Sequence, residues 1–203
     1  MIKKILALQL FIIFLISGSI LKADPYSLEN VSQYLTKLKF LKADFLQTNA
    51  DGTTSTGAIF IKRPGRMRFE YYQPDRTLVL ISAGALAIFD PKGDPEPLTY
   101  PVRSNPISLL LKSKVDLLNS EIVENYEVSI DAAALTISDP NKPERGSLEL
   151  VFNGAKPELK EFTVKNENGS FTSIHLKDVE YPQSISNILF SISLESKNRT
   201  NEK

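Results

Sequence analysis

The chain of 203 residues contains no cysteine, no tryptophan and a single histidine, His175. The lack of cysteine excludes disulfides, thiolate metal sites and cysteine nucleophiles. It also excludes a lipid anchor on the protein itself, because bacterial lipoproteins are acylated on a cysteine at the mature N-terminus. One histidine cannot supply a cluster of imidazole ligands, and we identify no partner for it in a catalytic triad. We therefore expect no catalytic residue, no metal site and no cofactor.

Other catalytic motifs are also missing from the sequence. There is no Gly-x-Ser-x-Gly turn to present a serine nucleophile and no glycine-rich loop to hold a phosphate. Paired carboxylates of the kind glycosidases use remain open in a chain with 24 acidic residues, although sugar sites usually add tryptophan platforms. A binding function, and not an enzyme, is the interpretation that the composition favours.

The N-terminus has the pattern of a secretory signal peptide. Two lysines precede an apolar run from Ile5 to Ile16, and small residues allow cleavage after Ser19 or after Ala23, of which we favour the second. A retained membrane anchor is the competing interpretation, but a spanning helix needs about 20 apolar residues and this run is shorter. We predict that residues 1–23 are removed and that residues 24–203 form a single domain in the periplasm.

The charge of the mature chain argues against nucleic acid as a partner. Removing the first 23 residues takes away three lysines and no acidic residue, which leaves 21 basic and 24 acidic side chains and a net charge of −3. Binding to phosphates requires an excess of basic residues gathered on one face.

Apolar periodicity predicts one helix followed by a long antiparallel meander. The helix begins after Ser27, a good N-cap, and places an apolar residue at every third or fourth position up to Leu38. After it, a period of two and regular turn residues indicate about ten strands, mainly β with helices (α+β). The predicted strands run from Leu41, Gly57 to Arg63, Met67 to Tyr72, Thr77 to Ser82 and Ala85 to Phe89, and then through Tyr126, Leu135, Leu148, Phe162 and Phe171. The polar end, Lys197 to Lys203, is predicted to be frayed.

The strands before and after Ala83-Gly84 carry apolar side chains on both faces, whereas an ordinary antiparallel sheet has one dry face. Each face therefore needs a cover, either a helix or a ligand. A second, short helix is predicted after Asn105-Pro106, behind a proline-containing loop. It is either a lid over the open side of a barrel or a fixed core helix.

These segments together resemble the LolA family of outer-membrane lipoprotein carriers. The similarity is carried by Ala43 to Gln47, Lys62 to Tyr71, Gln73 to Arg76, Leu78 to Ser82, Leu86 to Pro91 and Asn105 to Leu111. It implies an incomplete, strongly curved antiparallel β-barrel with a helical lid and an apolar cavity. It also implies a monomeric periplasmic chaperone that receives acylated lipoproteins from an inner-membrane ABC exporter complex and delivers them to an outer-membrane lipoprotein receptor.

The resemblance also implies the residues of the site. Arg63, with Pro64 beside it, matches the arginine that holds the lid of the empty carrier shut, although a solvated charge that ends a strand is the alternative interpretation. The positions expected to line the acyl-chain cavity are Met67, Phe69, Val79, Ile81, Leu86, Ile88, Ile107, Leu110 and Leu111. Ordinary core packing is the alternative for each of them.

Some positions depart from the family pattern. The usual Asp-Gly turn is Ala83-Gly84, and the tryptophans expected near Phe69 and Ala87 are missing. Proteins of the same shape bind other amphiphiles or act as envelope-stress sensors. The alternatives are therefore a periplasmic lipid- or glycolipid-binding protein of another envelope pathway and a protein-binding envelope module.

Overall fold

The structure, a computed structural model, describes residues 25–119 and 121–201. The predicted signal peptide lies outside the described residues. Within them, no helix combines the length and the apolar character needed to span a bilayer.

Eleven strands form one open, curved, antiparallel sheet in the order β6-β5-β4-β3-β2-β1-β11-β10-β9-β8-β7. β1 pairs with β2 on one side and with β11 on the other, so it joins the N-terminal strands to the C-terminal strands. β6 and β7 are the two free edges of the sheet. The strands are β1 Phe40–Asn49, β2 Thr54–Lys62, β3 Arg66–Tyr71, β4 Leu78–Ser82, β5 Ala85–Phe89, β6 Leu98–Pro101, β7 Val123–Val128, β8 Ala132–Ser138, β9 Ser147–Asn153, β10 Glu158–Lys165 and β11 Phe171–Glu180. The predicted fold class, an incomplete curved antiparallel barrel with few helices, is confirmed.

Three α-helices accompany the sheet in the described part of the chain: α1 Leu28–Lys37, α2 Ile107–Leu110 and α3 Ile192–Asn201. The predicted Ser27 cap is present, whereas α2 has Pro106 at its N-cap position, one residue after the predicted Asn105. The Ser27 side chain accepts a hydrogen bond from the backbone N–H of Asn30 at 3.3 Å, and Asn105 Oδ1 accepts one from the N–H of Ile107 at 2.9 Å. The first helix therefore begins where the sequence places it, and the second begins one residue later.

The hydrophobic core lies on the concave face of the sheet. Apolar side chains from β1 to β4 and from β8 to β11 meet those of α1 and α2 there in one continuous cluster. A smaller cluster lies on the convex face, where Leu78, Leu80, Ala87 and Phe89 contact Ile192. The two apolar faces of β4 and β5 thus have different covers, α2 on the concave side and α3 on the convex side.

Two segments were predicted wrongly. Part of the proline-containing stretch before α2, Leu98–Pro101, forms the edge strand β6. Proline has no backbone N–H to donate, and an edge strand tolerates it where that group would face solvent. The C-terminus is helical to Asn201, whereas we expected fraying from Lys197. α3 has no apolar stripe that periodicity could reveal. Besides Ile192, polar contacts hold it to the sheet, with Arg199 over the Phe89 ring at 4.9 Å and Glu195 3.6 Å from Arg68 on β3.

The two-residue turn between β4 and β5 carries an avoidable strain. Ala83 has φ +50° and Gly84 has φ +81°, so both central residues are left-handed, as in a type I′ hairpin. Asparagine tolerates this conformation better than alanine. We expect Ala83→Asn to raise the free energy of unfolding by about 0.5–1 kcal/mol, measured as a higher urea midpoint with an unchanged slope.

The matched control is Ala50→Asn. Ala50 is exposed in the turn after β1 and is not among the residues with positive φ. The change there should stay within about 0.5 kcal/mol. Equal gains at the two positions would contradict the strain at Ala83.

Candidate functional site

Six of the predicted cavity residues lie in two rows across the concave face of β3, β4 and β5. Met67 is paired with Ile81, which is paired with Leu86 on the next strand. The second row lies two residues away on each strand and consists of Phe69, Val79 and Ile88, which are paired in the same way. The period of two in the sequence therefore brings these side chains onto one surface.

The remaining three predicted residues belong to the short helix α2 and the residue after it. Ile107, Leu110 and Leu111 are buried and join the same cluster as Met67 and Ile81. We call the segment from Ile107 to Lys112 the lid, because it lies across this end of the concave face.

Arg63 connects the lid to α1. Arg63 is only 7% exposed, and its guanidinium donates from Nε to the carbonyl of Lys112 at 3.0 Å and from Nη1 to the carbonyl of Leu38 at 3.0 Å. It also donates to the carbonyl of Leu35 and, through Nη2, again to Lys112. The neighbouring Pro64 is exposed in the turn between β2 and β3. Arg63 is therefore not a solvated charge at the end of a strand, which was the alternative interpretation of the sequence.

Helix chemistry explains why an arginine occupies this position. The last carbonyls of a helix have no partner within it and carry partial negative charge. Arg63 reaches two such groups at the end of α1 and one just after α2, and a planar fork of donors satisfies them together. Burial lowers the pKa of the guanidinium from its ordinary value, which is so high that the group keeps its charge. Arg63 thus fastens α1 and the lid to each other and to the β2–β3 turn.

Sequence reasoning missed a second fastening between α1 and the chain after the lid. The hydroxyl of Ser32 donates to the carbonyl of Val115 at 3.3 Å and accepts from the backbone N–H of Leu117 at 3.4 Å. Ser32 looks like an ordinary polar position of an amphipathic helix, so no local signal marks it. Together with Arg63 it holds the concave face closed.

In this closed arrangement the predicted lining is packed against the helices. Met67, Phe69, Ile81 and the three lid residues are buried, whereas Val79, Leu86 and Ile88 are half-buried. A guest in this interior therefore requires the lid or α1 to move.

A cluster of three aromatic rings lies on the concave face beside the two rows. Phe45 contacts Phe69 and Tyr71 edge to face, with ring centroids 5.5 and 5.2 Å apart. The Tyr71 hydroxyl donates to Gln47 Oε1 at 2.5 Å. Burial, reinforced by the charge of Asp75, raises the pKa of Tyr71 to about 12.

Because of this shift in the pKa of Tyr71, the free energy of unfolding should fall as the pH rises through the alkaline range. A tyrosine whose pKa is higher in the folded than in the unfolded chain stabilises the fold fully below its unfolded pKa, near 10, and loses that contribution as pH rises towards 12. We expect the wild type to lose up to about 2–3 kcal/mol more than Tyr71→Phe over this interval. Urea unfolding of both proteins from pH 8 to 11.5 measures the difference, and a difference independent of pH would contradict it.

The only histidine lies outside this site. His175 Nδ1 is 3.5 Å from Glu161 Oε2, on a half-exposed surface of β10 and β11. Among residues 25–119 and 121–201, no three potential metal ligands form a group.

An open antiparallel barrel whose apolar concave face is covered by helices defines a class of proteins with a hydrophobic interior beneath a helical cover. The model of the family described as outer membrane lipoprotein carrier protein LolA matches residues 36–193, well over half of the chain, and the protein belongs to this family of carriers. An outer-membrane lipoprotein carrier protein from Coxiella burnetii is 26% identical over 202 residues, covering 93% of this chain and 92% of the relative. One from Chromohalobacter salexigens is 25% identical over 169 residues, covering 78% and 79%.

Solved structures of similar shape include an uncharacterized conserved protein from Thermus thermophilus, with a TM-score of 0.46, 13% identity and coverage of 80% of this chain and 89% of that one. A LolA superfamily protein from Nitrosomonas europaea has a TM-score of 0.42 and 10% identity, covering 79% and 97%.

Proposed function

We propose that the protein is a periplasmic carrier that shields the acyl chains of lipoproteins and moves them from an inner-membrane ABC exporter to an outer-membrane receptor. The observation that supports this most is Arg63, one buried side chain that closes two helices over an apolar concave face. This side chain joins both helices across the rim, so breaking its hydrogen bonds would free them together from the apolar face.

The energetics of lipid transfer explain why a closable interior suits this cargo. A chain of about 15 carbons resists moving from a bilayer into water by roughly 12 kcal/mol, at about 0.8 kcal/mol for each CH₂. A lipoprotein with three such chains faces about three times this free-energy cost. A carrier must therefore offer apolar surface to the cargo, and must hide that surface from water when it is empty.

The proposed roles of the residues follow from this cycle. Met67, Phe69, Val79, Ile81, Leu86 and Ile88 form the floor on which acyl chains lie, and Ile107, Leu110 and Leu111 cover that floor when the carrier is empty. Arg63, with Pro64 holding the turn, is the latch. Loading breaks the latch and replaces lid side chains by acyl chains, and release restores it. No chemical step is required, so the protein acts as a carrier and not as an enzyme.

Export is part of the proposal. Cleavage after Ala23 leaves residues 24–203 as one monomeric domain, free in the periplasm between the two membranes. A cofactor, a metal ion and nucleic acid have no role in this cycle.

The test is to purify the mature protein from a Gram-negative periplasm and identify by mass spectrometry what travels with it. We expect triacylated protein. Free phospholipid or glycolipid instead would support the alternative, a lipid-binding protein of another envelope pathway, and the absence of any apolar companion would overturn both.

Two variants sharpen this test. Ile88→Glu places a charge on the half-buried floor and is expected to remove most of the acylated companion. Leu194→Glu makes the same change at a partly exposed position of α3, outside the concave face, and is expected to carry as much as the wild type.

A further inference from the structure

The apolar rows of the concave face do not stop beneath the lid. Strand pairing continues each of them through β5 to the edge strand β6, where Leu86 is paired with Tyr100 and Ile88 with Leu98. In full, the first row is Leu41, Ile61, Met67, Ile81, Leu86 and Tyr100, and the second is Ala43, Ile59, Phe69, Val79, Ile88 and Leu98. Neither row contains a charged residue.

Exposure rises along both rows from β1 to β6. The members on β1, β2 and β3 are buried, those on β5 are half-buried, and at the edge Tyr100 is 52% and Leu98 is 64% exposed. The concave surface therefore passes gradually from closed interior to open solvent on this side. Large exposed apolar side chains that continue a buried apolar surface indicate a binding surface and not chance exposure.

The other free edge of the sheet has a different arrangement. The hydroxyl of Tyr126 on β7 donates to the backbone carbonyl of Tyr26, and the Tyr26 hydroxyl lies 2.6 Å from the carbonyl oxygens of both Asp131 and Gly154, which share its single proton. Tyr26 is 1% exposed. The segment before α1 thus covers the concave face at β7, whereas both rows end in exposed side chains at β6.

We propose that acyl chains slide into and out of the concave face over the β6 edge, across Tyr100, Leu98, Leu86 and Ile88. This inference rests on the proposed function and adds the route to it. The occupant is an acyl chain and not a pairing strand, because the exposed apolar side chains lie on the concave face, whereas an added strand would bind the edge backbone.

The dimensions of the rows fit this occupant. Strands lie about 4.8 Å apart, so three spacings from β6 to β3 measure about 14 Å. One leaflet of a bilayer, the length that a lipid tail fills, is about half of a 30 Å hydrocarbon core. A chain that has its tip on Met67 or Phe69 therefore has its head group at β6, outside the barrel, where the protein part of a lipoprotein would remain in water.

The test measures loading of a dansyl-labelled, triacylated cysteine peptide by stopped-flow fluorescence. In the double variant Leu98→Lys, Tyr100→Lys the route carries two hydrated charges at positions that the fold leaves exposed, so the urea midpoint should not change. We expect loading about tenfold slower, equivalent to about 1.4 kcal/mol in the barrier. The control, Val128→Lys, Ile130→Lys, places the same charges at the opposite edge, where these residues are 47% and 100% exposed, and should load as the wild type.

The outcomes separate the two levels of inference. Loading of the β6 variant at the wild-type rate, or equal slowing of both variants, overturns the route and leaves the carrier function standing. A β6 variant that loads normally but fails only in delivery to another protein also overturns it and makes β6 a protein-docking edge. If the wild type itself does not bind the triacylated peptide, the proposed function fails together with the route.

Discussion

Arg63→Leu should fold normally and accept acylated cargo, yet release it to acceptor vesicles at least about thirtyfold more slowly than the wild type. Leucine fills part of the same space but donates nothing to the carbonyls of Leu35, Leu38 and Lys112. The empty, closed state therefore loses its fastening, while the loaded, open state loses little. One hydrogen bond from a charged donor is worth about 2 kcal/mol, which corresponds to about thirtyfold.

The measurement is transfer of the dansyl-labelled, triacylated cysteine peptide to vesicles of phosphatidylethanolamine and phosphatidylglycerol. Arg103→Leu is the matched control, because Arg103 is exposed in the turn before the lid, and it should transfer like the wild type. Arg63→Lys keeps the charge without the planar fork and should be intermediate. Normal release by Arg63→Leu would refute the latch.

The position of the lid in the same variants can be observed directly. Because the chain has no cysteine, nitroxide labels can be placed at Ser108→Cys on the lid and Thr36→Cys on α1 without a background signal. In the empty protein with Arg63 we expect one narrow distance. With Arg63→Leu we expect a broad distribution that extends to longer distances, and a distribution like the wild type's would show that the latch lies elsewhere.

The sheet was predictable because its strands alternate. A period of two assigns each side chain to a face without any knowledge of its neighbours, and so Met67, Phe69, Val79 and Ile81 were correctly placed on one surface. The role of Arg63 could not be predicted from this alternation. Nothing local distinguishes an arginine that ends a strand in solvent from one that meets two helix ends, and only the family resemblance pointed to it.

The sequence failed to predict the edge strand β6 and the full length of α3 for the same physical reason. β6 and α3 are stabilised by what they contact and not by their own sequence pattern. An edge strand of four residues that ends in proline lacks the strand signature, and a helix without an apolar stripe lacks the helical one. The same limit applies to the route over β6, since the row that ends at Leu98 exists only once six strands are in register.

Gly57 is a position at which a single methyl group should damage the fold severely. It lies in the middle of β2, between Phe45 on β1 and Tyr71 on β3. A Cβ atom there would lie 2.2 Å from the carbonyl oxygen of Glu70 and 2.7 and 2.8 Å from two atoms of the Phe45 ring. The oxygen belongs to the paired backbone of β3, so it cannot withdraw without breaking the ladder.

We expect Gly57→Ala to lower the free energy of unfolding by about 3 kcal/mol or more, at the upper end of overpacking changes. Gly169→Ala is the control: Gly169 has φ +80° in an exposed hairpin with open space around it, and backbone strain alone should cost about 1–2 kcal/mol. Urea unfolding measures both.

A second substitution separates the two clashes at Gly57. Phe45→Leu removes the ring but not the carbonyl contact, so in the Gly57→Ala background it should restore part of the stability and never all of it. Full restoration would assign the whole cost to the ring, and a Gly57→Ala protein more stable than Gly169→Ala would contradict the close approach of β2 and β3. Because Phe45 packs on Phe69, the floor of the concave face depends on a glycine that no binding motif contains.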